Sequence, residues 1–277
     1  MPELPEVEVV RRTVWPRIAG RTILDARIHE PRLPQNVEPA ALEEKLRGRV
    51  FTHCRRRAKY LLFTLSGRAG FVLHLRMTGQ LIFVEKGESV GAGGGEHVRM
   101  ILTLDGGRLE LRDARRFATI HWVEGPAFED LPFLQRLGPE PLDPAFTAER
   151  FAGRLAGRRA PIKSVLLNQA CVAGLGNIYA DEALFRARVH PLRPASALSR
   201  EEVERLHRAV QEVLREAVHQ GGTSIRNYRN GAGEPGTFQT RLQVYGRQGQ
   251  PCPVCRRPIG VVRLAGRSSS FCEGCQR

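Results

Sequence analysis

Long apolar runs are missing from this 277-residue chain. Nothing approaches the roughly 18 consecutive apolar residues of a membrane helix, so no span and no membrane partner are expected. An apolar signal core is missing too. The opening MPELPEVEVVRR carries three glutamates, which argues against secretion and for a cytoplasmic chain. Acidic residues are scarce beside basic ones, 29 against 43, leaving a net charge of +14. That imbalance calls for a polyanionic partner, nucleic acid first and an acidic membrane surface second. A low-complexity basic tail is absent. Basic residues recur along the chain instead, at Arg55 to Arg57, at Arg115 and Arg116, and at Arg256 and Arg257. A folded protein with a basic groove fits that distribution better than a disordered arm. Internal repeats are absent as well.

The length that is present suits two modest domains and a small appendage. Residues from about Pro5 to Ile18 read as one helix. Pro5 suits a first turn, Glu6 and Glu8 complement the positive helix start, and Val7, Val10 and Val14 recur at core spacing. From Thr22 to about Val123 short apolar runs alternate with breaks: Tyr60 to Leu65, Phe71 to Leu75, Leu81 to Val84, Val98 to Leu104 and Thr119 to Val123. This predicts an antiparallel sandwich or barrel, with a mobile loop at Gly91 to Gly95. The Pro/Gly-rich LGPEPLDP marks a linker. Beyond it, Ala148 to His219 reads as helical. The last helix starts at a capping box of Ser199 and Glu202 and stops at Gly221-Gly222. The expected boundaries are 1–136 for a helix plus sandwich, 137–147 for the linker, 148–241 for a helical domain with a polar Gly-rich loop at 221–239, and 242–277 for a cysteine module.

That module reads Cys252-x2-Cys255-x16-Cys272-x2-Cys275. Two CxxC knuckles around a hairpin-sized insert predict one tetrahedral zinc ion. With four thiolates the shell is closed, so the metal is structural. Without a secretion signal, disulfides are disfavoured. The module carries six arginines against one acid, Glu273, and Arg267 falls at the expected hairpin tip. Such a hairpin is a nucleic-acid clamp. The two isolated cysteines, Cys54 and Cys171, read as small buried hydrophobes.

A Met-Pro start is common and says little alone. Removal of Met1 would nevertheless leave Pro2 as a secondary amine at a helix start. An α-amino group has a pKa of about 7.7–8, and the helix dipole lowers it further. A neutral amine there is a capable Schiff-base nucleophile, with Glu3 placed for proton transfer.

MPELPEVEVVRR, RRRAKYLLF, HLRMTG, DARRFA, GLGNIYADEALF and the cysteine module occur in this order. Together they resemble the formamidopyrimidine-DNA glycosylases of the Fpg/Nei family across essentially the whole chain. MPELPE points to the Fpg branch. The Nei branch, acting on oxidised pyrimidines, is the alternative. The resemblance implies an α+β fold of two domains: an N-terminal helix on an antiparallel β-sandwich, then a helix–two-turn–helix domain with a C-terminal zinc finger hairpin. It implies a monomeric, nucleoid-associated enzyme of base excision repair that acts on double-stranded DNA containing oxidised purines or abasic sites.

The resemblance also implies roles. Pro2 attacks the lesion sugar, Glu3 is the essential acid, and Glu6 is a second acid of the site. Lys59, His74, Asn177 and Arg267 grip phosphates around the flipped nucleotide, and Arg116 joins them on the DNA. Met77, Arg115 and Phe117 fill the void left by the extruded base. Arginine's donors suit an orphaned cytosine, which offers O2 and N3 acceptors. Thr223, Ile225, Arg226, Asn227 and Tyr228 belong to the lesion-recognition loop, whose backbone amides receive O6 of the oxidised purine. Three positions depart from the commoner pattern. Arg76 stands where glycine is usual, and Ala114 and Ala118 stand where proline and glycine are usual.

Overall fold

A computed structural model describes residues 2–87, 97–125, 128–225, 227–264 and 266–277. The break at Gly91 to Gly95 and Arg226 of the expected recognition loop lie outside the described residues. The chain forms two compact units. One comprises Met1–Gln135 and Gln220–Thr237, the other Arg136–His219 and Phe238–Arg277.

The first unit opens with helix α1 (Leu4–Ile18). Its start is fixed by a reciprocal capping box between Glu3 and Glu6, with Pro5 in the first turn. Val7, Val10 and Val14 are buried as their spacing predicts. Strand β1 (Ile23–Ile28), helix α2 (Pro39–Leu46) and strands β2 (Phe51–Arg57), β3 (Tyr60–Leu65), β4 (Ala69–His74), β5 (Gln80–Glu85), β6 (Val98–Leu104), β7 (Gly107–Arg112) and β8 (Thr119–Glu124) follow, then the short helix α3 (Pro132–Gln135). The strands make two four-stranded sheets, ordered β1-β6-β7-β5 and β2-β3-β4-β8. Every pairing is antiparallel. Phe51, Phe63 and Phe71 pack in the core between the sheets, with Phe63 stacked on Phe71 at 4.8 Å.

This topology has one consequence for the site. The links 75–79 (β4 to β5) and 113–118 (β7 to β8) both carry the chain from one sheet to the other. Because β4 pairs with β8 and β5 pairs with β7, the two links lie side by side.

Residues 220–237 were expected beside the helical segment, yet they pack within the first unit. Hydrogen bonding explains this. Gly231 N–H donates to Thr13 Oγ1 of α1 at 2.8 Å, and its carbonyl accepts from Phe83 N–H of β5 at 2.9 Å. Tyr228 packs against the sandwich core. Polar composition hid this docking, because the bonds are made by backbone groups.

The second unit holds helices α4 (Ala148–Leu155), α5 (Ile162–Leu167), α6 (Asn177–Ala187) and α7 (Arg200–His219), then hairpin strands β9 (Gly260–Leu264) and β10 (Arg267–Phe271). Ser199 N–H donates to Glu202 Oε2 at 2.9 Å and Glu202 N–H to Ser199 Oγ at 3.3 Å, so the expected capping box forms. Gly221 and Gly222, at φ +73° and +84°, follow the end of α7 in the left-handed region. Among the described residues no helix is long and apolar enough to cross a membrane.

The close approach at Gly231 leaves no space for a side chain. A Cβ there would lie 2.3 Å from Val14 Cγ2 and 2.9 Å from Val14 N. Gly231→Ala is expected to lower stability by about 1–3 kcal/mol, as overpacking does. Urea unfolding followed by tryptophan fluorescence checks this.

Candidate active site and nucleic-acid interface

The first unit gathers the candidate catalytic residues at the start of α1. Pro2, Glu3 and Glu6 are all buried. Glu6 is the anchor. Its Oε2 accepts from Glu3 N–H at 2.7 Å, and its Oε1 accepts from Thr223 N–H at 2.8 Å. Tyr228 Oη donates to the Glu6 carbonyl at 3.2 Å. One turn of helix therefore holds the first residues of the chain and the 222–228 segment together. Gly222 fits this spot because a Cβ would crowd Glu6 Cγ and Oε1 at 3.1 Å. Within the segment, Ser224 Oγ donates to the Tyr228 carbonyl at 2.9 Å and Gln80 donates to the Asn227 carbonyl. Burial pushes the Tyr228 phenol up. Ile225 is 49% exposed at the tip. Glu8, the next acid on α1, is buried. Burial alone would raise its pKa, but hydrogen bonds from Arg11 and Arg12 and the charge of Arg56 outweigh that and hold it at about 2.

Lys59 and His74 are brought together by strand pairing. Ala58, at φ +52°, turns the chain from β2 into β3, Lys59 is buried after it, and Tyr60 pairs with His74. The Tyr60 and His74 rings meet edge-on at 4.5 Å. Burial, then the charges of Arg76 and Lys59, push His74 down to about 3. It is neutral near pH 7, and its Nδ1 accepts from Arg76 N–H at 2.9 Å. The proton therefore sits on Nε2, which becomes a donor suited to an anion.

Met77, Arg115 and Phe117 lie on the two adjacent crossover links. Met77 is 42% and Phe117 48% exposed, and the Arg115 guanidinium sits 4.6 Å over the Phe117 ring. Each exposed apolar residue follows a left-handed arginine, Arg76 at φ +53° and Arg116 at φ +58°. A residue without a Cβ would take that conformation at no steric cost. Buried Asp113 holds the second link: Phe117 N–H and Ala118 N–H both donate to its Oδ2 at 2.7 Å. Arg116 extends from this link and pairs with Glu30 at 3.5 Å.

In the second unit, α6 organises the cysteine module. Glu182 accepts the N–H groups of Gln243, Val244 and Tyr245 at 2.9–3.0 Å. Asp181 accepts from Ser270 N–H at 3.0 Å and pairs with fully buried Lys163 at 2.5 Å. Burial pushes Asp181 up to about 7 against the opposing pull of Lys163. Lys163 Nζ and Asn177 Nδ2 each donate to the Ser268 carbonyl at 3.0 Å. Ser268 adjoins Arg267, which is exposed at the start of β10. The Sγ atoms of Cys252, Cys255, Cys272 and Cys275 lie within 4.8 Å of one another. Four convergent thiolates with that spacing fit one tetrahedral zinc ion, closed to further ligands. Cys54 and Cys171 are buried, and burial pushes the Cys54 thiol up to about 12.

Comparison with known proteins finds relatives over the whole chain. The Formamidopyrimidine-DNA glycosylase N-terminal domain matches residues 1–120, the Formamidopyrimidine-DNA glycosylase H2TH domain residues 137–229, and the zinc finger found in FPG and IleRS residues 249–277. A formamidopyrimidine-DNA glycosylase from Symbiobacterium thermophilum is 50% identical over 278 residues, covering 100% of this chain and 89% of that relative. The chain belongs to the formamidopyrimidine-DNA glycosylase family. Among solved structures, the MutM (Fpg) protein of Thermus thermophilus is 44% identical with a TM-score of 0.87, covering 99% of this chain and 98% of that one. A Lactococcus lactis Fpg variant in complex with Fapy-dG-containing DNA is 34% identical with a TM-score of 0.91, and both chains are covered in full.

Sequence reading of this formamidopyrimidine-DNA glycosylase family member passed over Asp113, Lys163, Asp181 and Glu182. Asp113 stood inside DARRFA, and the pair Asp181-Glu182 inside ADEALF. Their signal was a lone charge or a charged pair in a mixed segment, which becomes legible only once burial is known.

Two outcomes follow. The unfolded chain takes up a proton on His74 as pH drops below about 6.5, whereas the folded chain resists until about 3. Its contribution is intact above pH 6.5 and is lost at up to about 1.4 kcal/mol per pH unit between those values. In His74→Gln this part of the acid slope should vanish from denaturant unfolding measured between pH 4 and 7. Elemental analysis should find one zinc per chain. Chelation should expose residues 249–277 to limited proteolysis while Met1–Gln135 stays resistant.

Proposed function

We propose that this protein is a bifunctional DNA glycosylase and abasic-site lyase that removes oxidised purines. Its substrates are 8-oxoguanine opposite cytosine and formamidopyrimidines, met in double-stranded DNA. The observation that carries this reading is the start of α1, where Pro2 and Glu3 are buried on a capping box that Glu6 ties to Thr223. After removal of Met1, the Pro2 nitrogen sits at a positive helix end that favours the neutral amine. Its lone pair bonds to C1′ of the lesion nucleotide, and the glycosidic bond breaks to release the base. Glu3 gives a proton to the ring oxygen as the sugar opens to the iminium. Loss of a C2′ proton then expels the 3′ phosphate, and a second elimination expels the 5′ phosphate. Hydrolysis returns the amine.

Around that step, Lys59 and neutral His74 grip phosphates, as do Asn177 and Arg267. These contacts position the backbone without reading sequence. Arg116 adds a further cation for the DNA. Met77 and Phe117 wedge the stack while Arg115 offers donors to the orphaned cytosine. Backbone amides of the recognition loop at Ile225, Asn227 and Tyr228 receive O6 of the oxidised purine. The zinc module holds its arginines in place without touching the chemistry. The protein works as a monomer in the cytoplasm, on the nucleoid. Co-crystallised Fapy-dG DNA in a relative that matches over its full length supports this substrate class.

Borohydride trapping tests the roles. Wild-type protein should join covalently to an 8-oxoguanine:C duplex, and Pro2→Gly should lower trapping by at least about a hundredfold. Glu3→Gln should block base release while retaining part of the trapping on a preformed abasic site. Unchanged trapping in both variants overturns the assignment, and preference for a thymine glycol:A duplex overturns the substrate class.

A further inference from the structure

The Met77 link and the Arg115–Phe117 link join different strands of the same two strand pairs, and their shared position does not by itself make them move together. The Thr78 hydroxyl joins them. Thr78 Oγ1 donates to Asp113 Oδ1 and lies 3.3 Å from Arg115 N, which acts as donor to it. Arg115 N–H also reaches Asp113 Oδ1 at 3.1 Å. Thr78, the Asp113 carboxylate and the Arg115 amide thus form a closed triangle. The remaining carboxylate oxygen fixes Phe117 and Ala118.

Both sides of the triangle are stiff. Thr78 sits in a turn closed by Gly79 N–H donating to the Leu75 carbonyl at 3.0 Å, and a Cβ on Gly79 would lie 2.4 Å from that oxygen. On the other side, the Asp113 carbonyl accepts from Arg99 Nε at 2.8 Å and its N–H donates to the His97 carbonyl at 2.8 Å. The chain therefore projects Met77 from one rigid turn and Phe117 from another, with the Thr78 hydroxyl as the polar link between them.

We propose that Thr78 is a positioning residue that couples the two links, so that Met77, Arg115 and Phe117 enter the duplex as one body and Arg115 meets the opposite base in a fixed register. This rests on the glycosylase reading above. An uncoupled pair of links would still fill a void, but Arg115 could shift to suit either opposite base. Coupling turns a wrong opposite base into a misfit of the whole wedge.

Single-turnover cleavage of 8-oxoguanine:C and 8-oxoguanine:A duplexes tests this. Thr78→Val keeps the shape and removes the hydroxyl. It should cut the C-over-A preference by about tenfold, the size of one lost hydrogen bond, with little change in cleavage of a preformed abasic site. Thr78→Ser should restore the preference. A double-mutant cycle between Met77→Ala and Phe117→Ala should show coupling in the wild-type background and additivity in Thr78→Val. Wild-type preference and coupling retained in Thr78→Val overturn the proposal, whereas a wild-type chain that fails to cut either duplex overturns the glycosylase reading instead. Loss of preference in Thr78→Ser as well would also overturn it, since the hydroxyl would not be the cause.

Discussion

A carboxylate buried among backbone N–H groups is costly to form and costly to disturb. Desolvation disfavours the charge, and only donors aimed at it restore the balance. Glu6, Asp113 and Glu182 are held under that constraint. Glu6 receives the amides of Glu3 and Thr223. Asp113 receives those of Arg115, Phe117 and Ala118. Glu182 receives those of Gln243, Val244 and Tyr245. Each anchor sits on or beside a regular element, and each fixes an irregular segment that carries or adjoins candidate site residues. Removing one would leave several amides unsatisfied at once, so these segments are held more firmly than their glycine content implies.

The regular elements serve these anchors. The sandwich brings two sheet-to-sheet links to one place because of the pairing of β4 with β8 and of β5 with β7. Helix α6 does the equivalent in the second unit. Residues 177, 181 and 182 bond the finger hairpin and the segment leading to it, and Phe185 packs against Cys252 and Cys272. The metal module is thereby continuous with the helices, and the Ser268 carbonyl that accepts from Lys163 and Asn177 belongs to the hairpin between the two knuckles.

Much of this was legible in the amino-acid order. Covalent spacing declared the zinc ligands, and valine periodicity declared α1. Continuous apolar runs marked β3 and β6 to the residue. Strands β1, β2 and β7 escaped because charge interrupts them. In β7, Glu110 is buried between Arg108 and Arg112, a pattern that reads as solvated surface until its partners are known. The Arg55–Arg57 run read as basic groove, yet Arg55 pairs with Glu129 and Arg56 with Glu8. Formal charge counts residues and is blind to pairing. The motifs located the candidate site, but the anchors behind it were silent, since a buried acid and an exposed one are spelled alike.

The 222–228 segment is fastened by its amides, carbonyls and the Ser224 and Tyr228 hydroxyls, while Ile225 points outward. Fastening and display are therefore assigned to different atoms. Substitution at the displayed tip changes what the segment touches without asking the frame to refold. Such a division leaves the frame at the head of α1 insulated from changes at the tip.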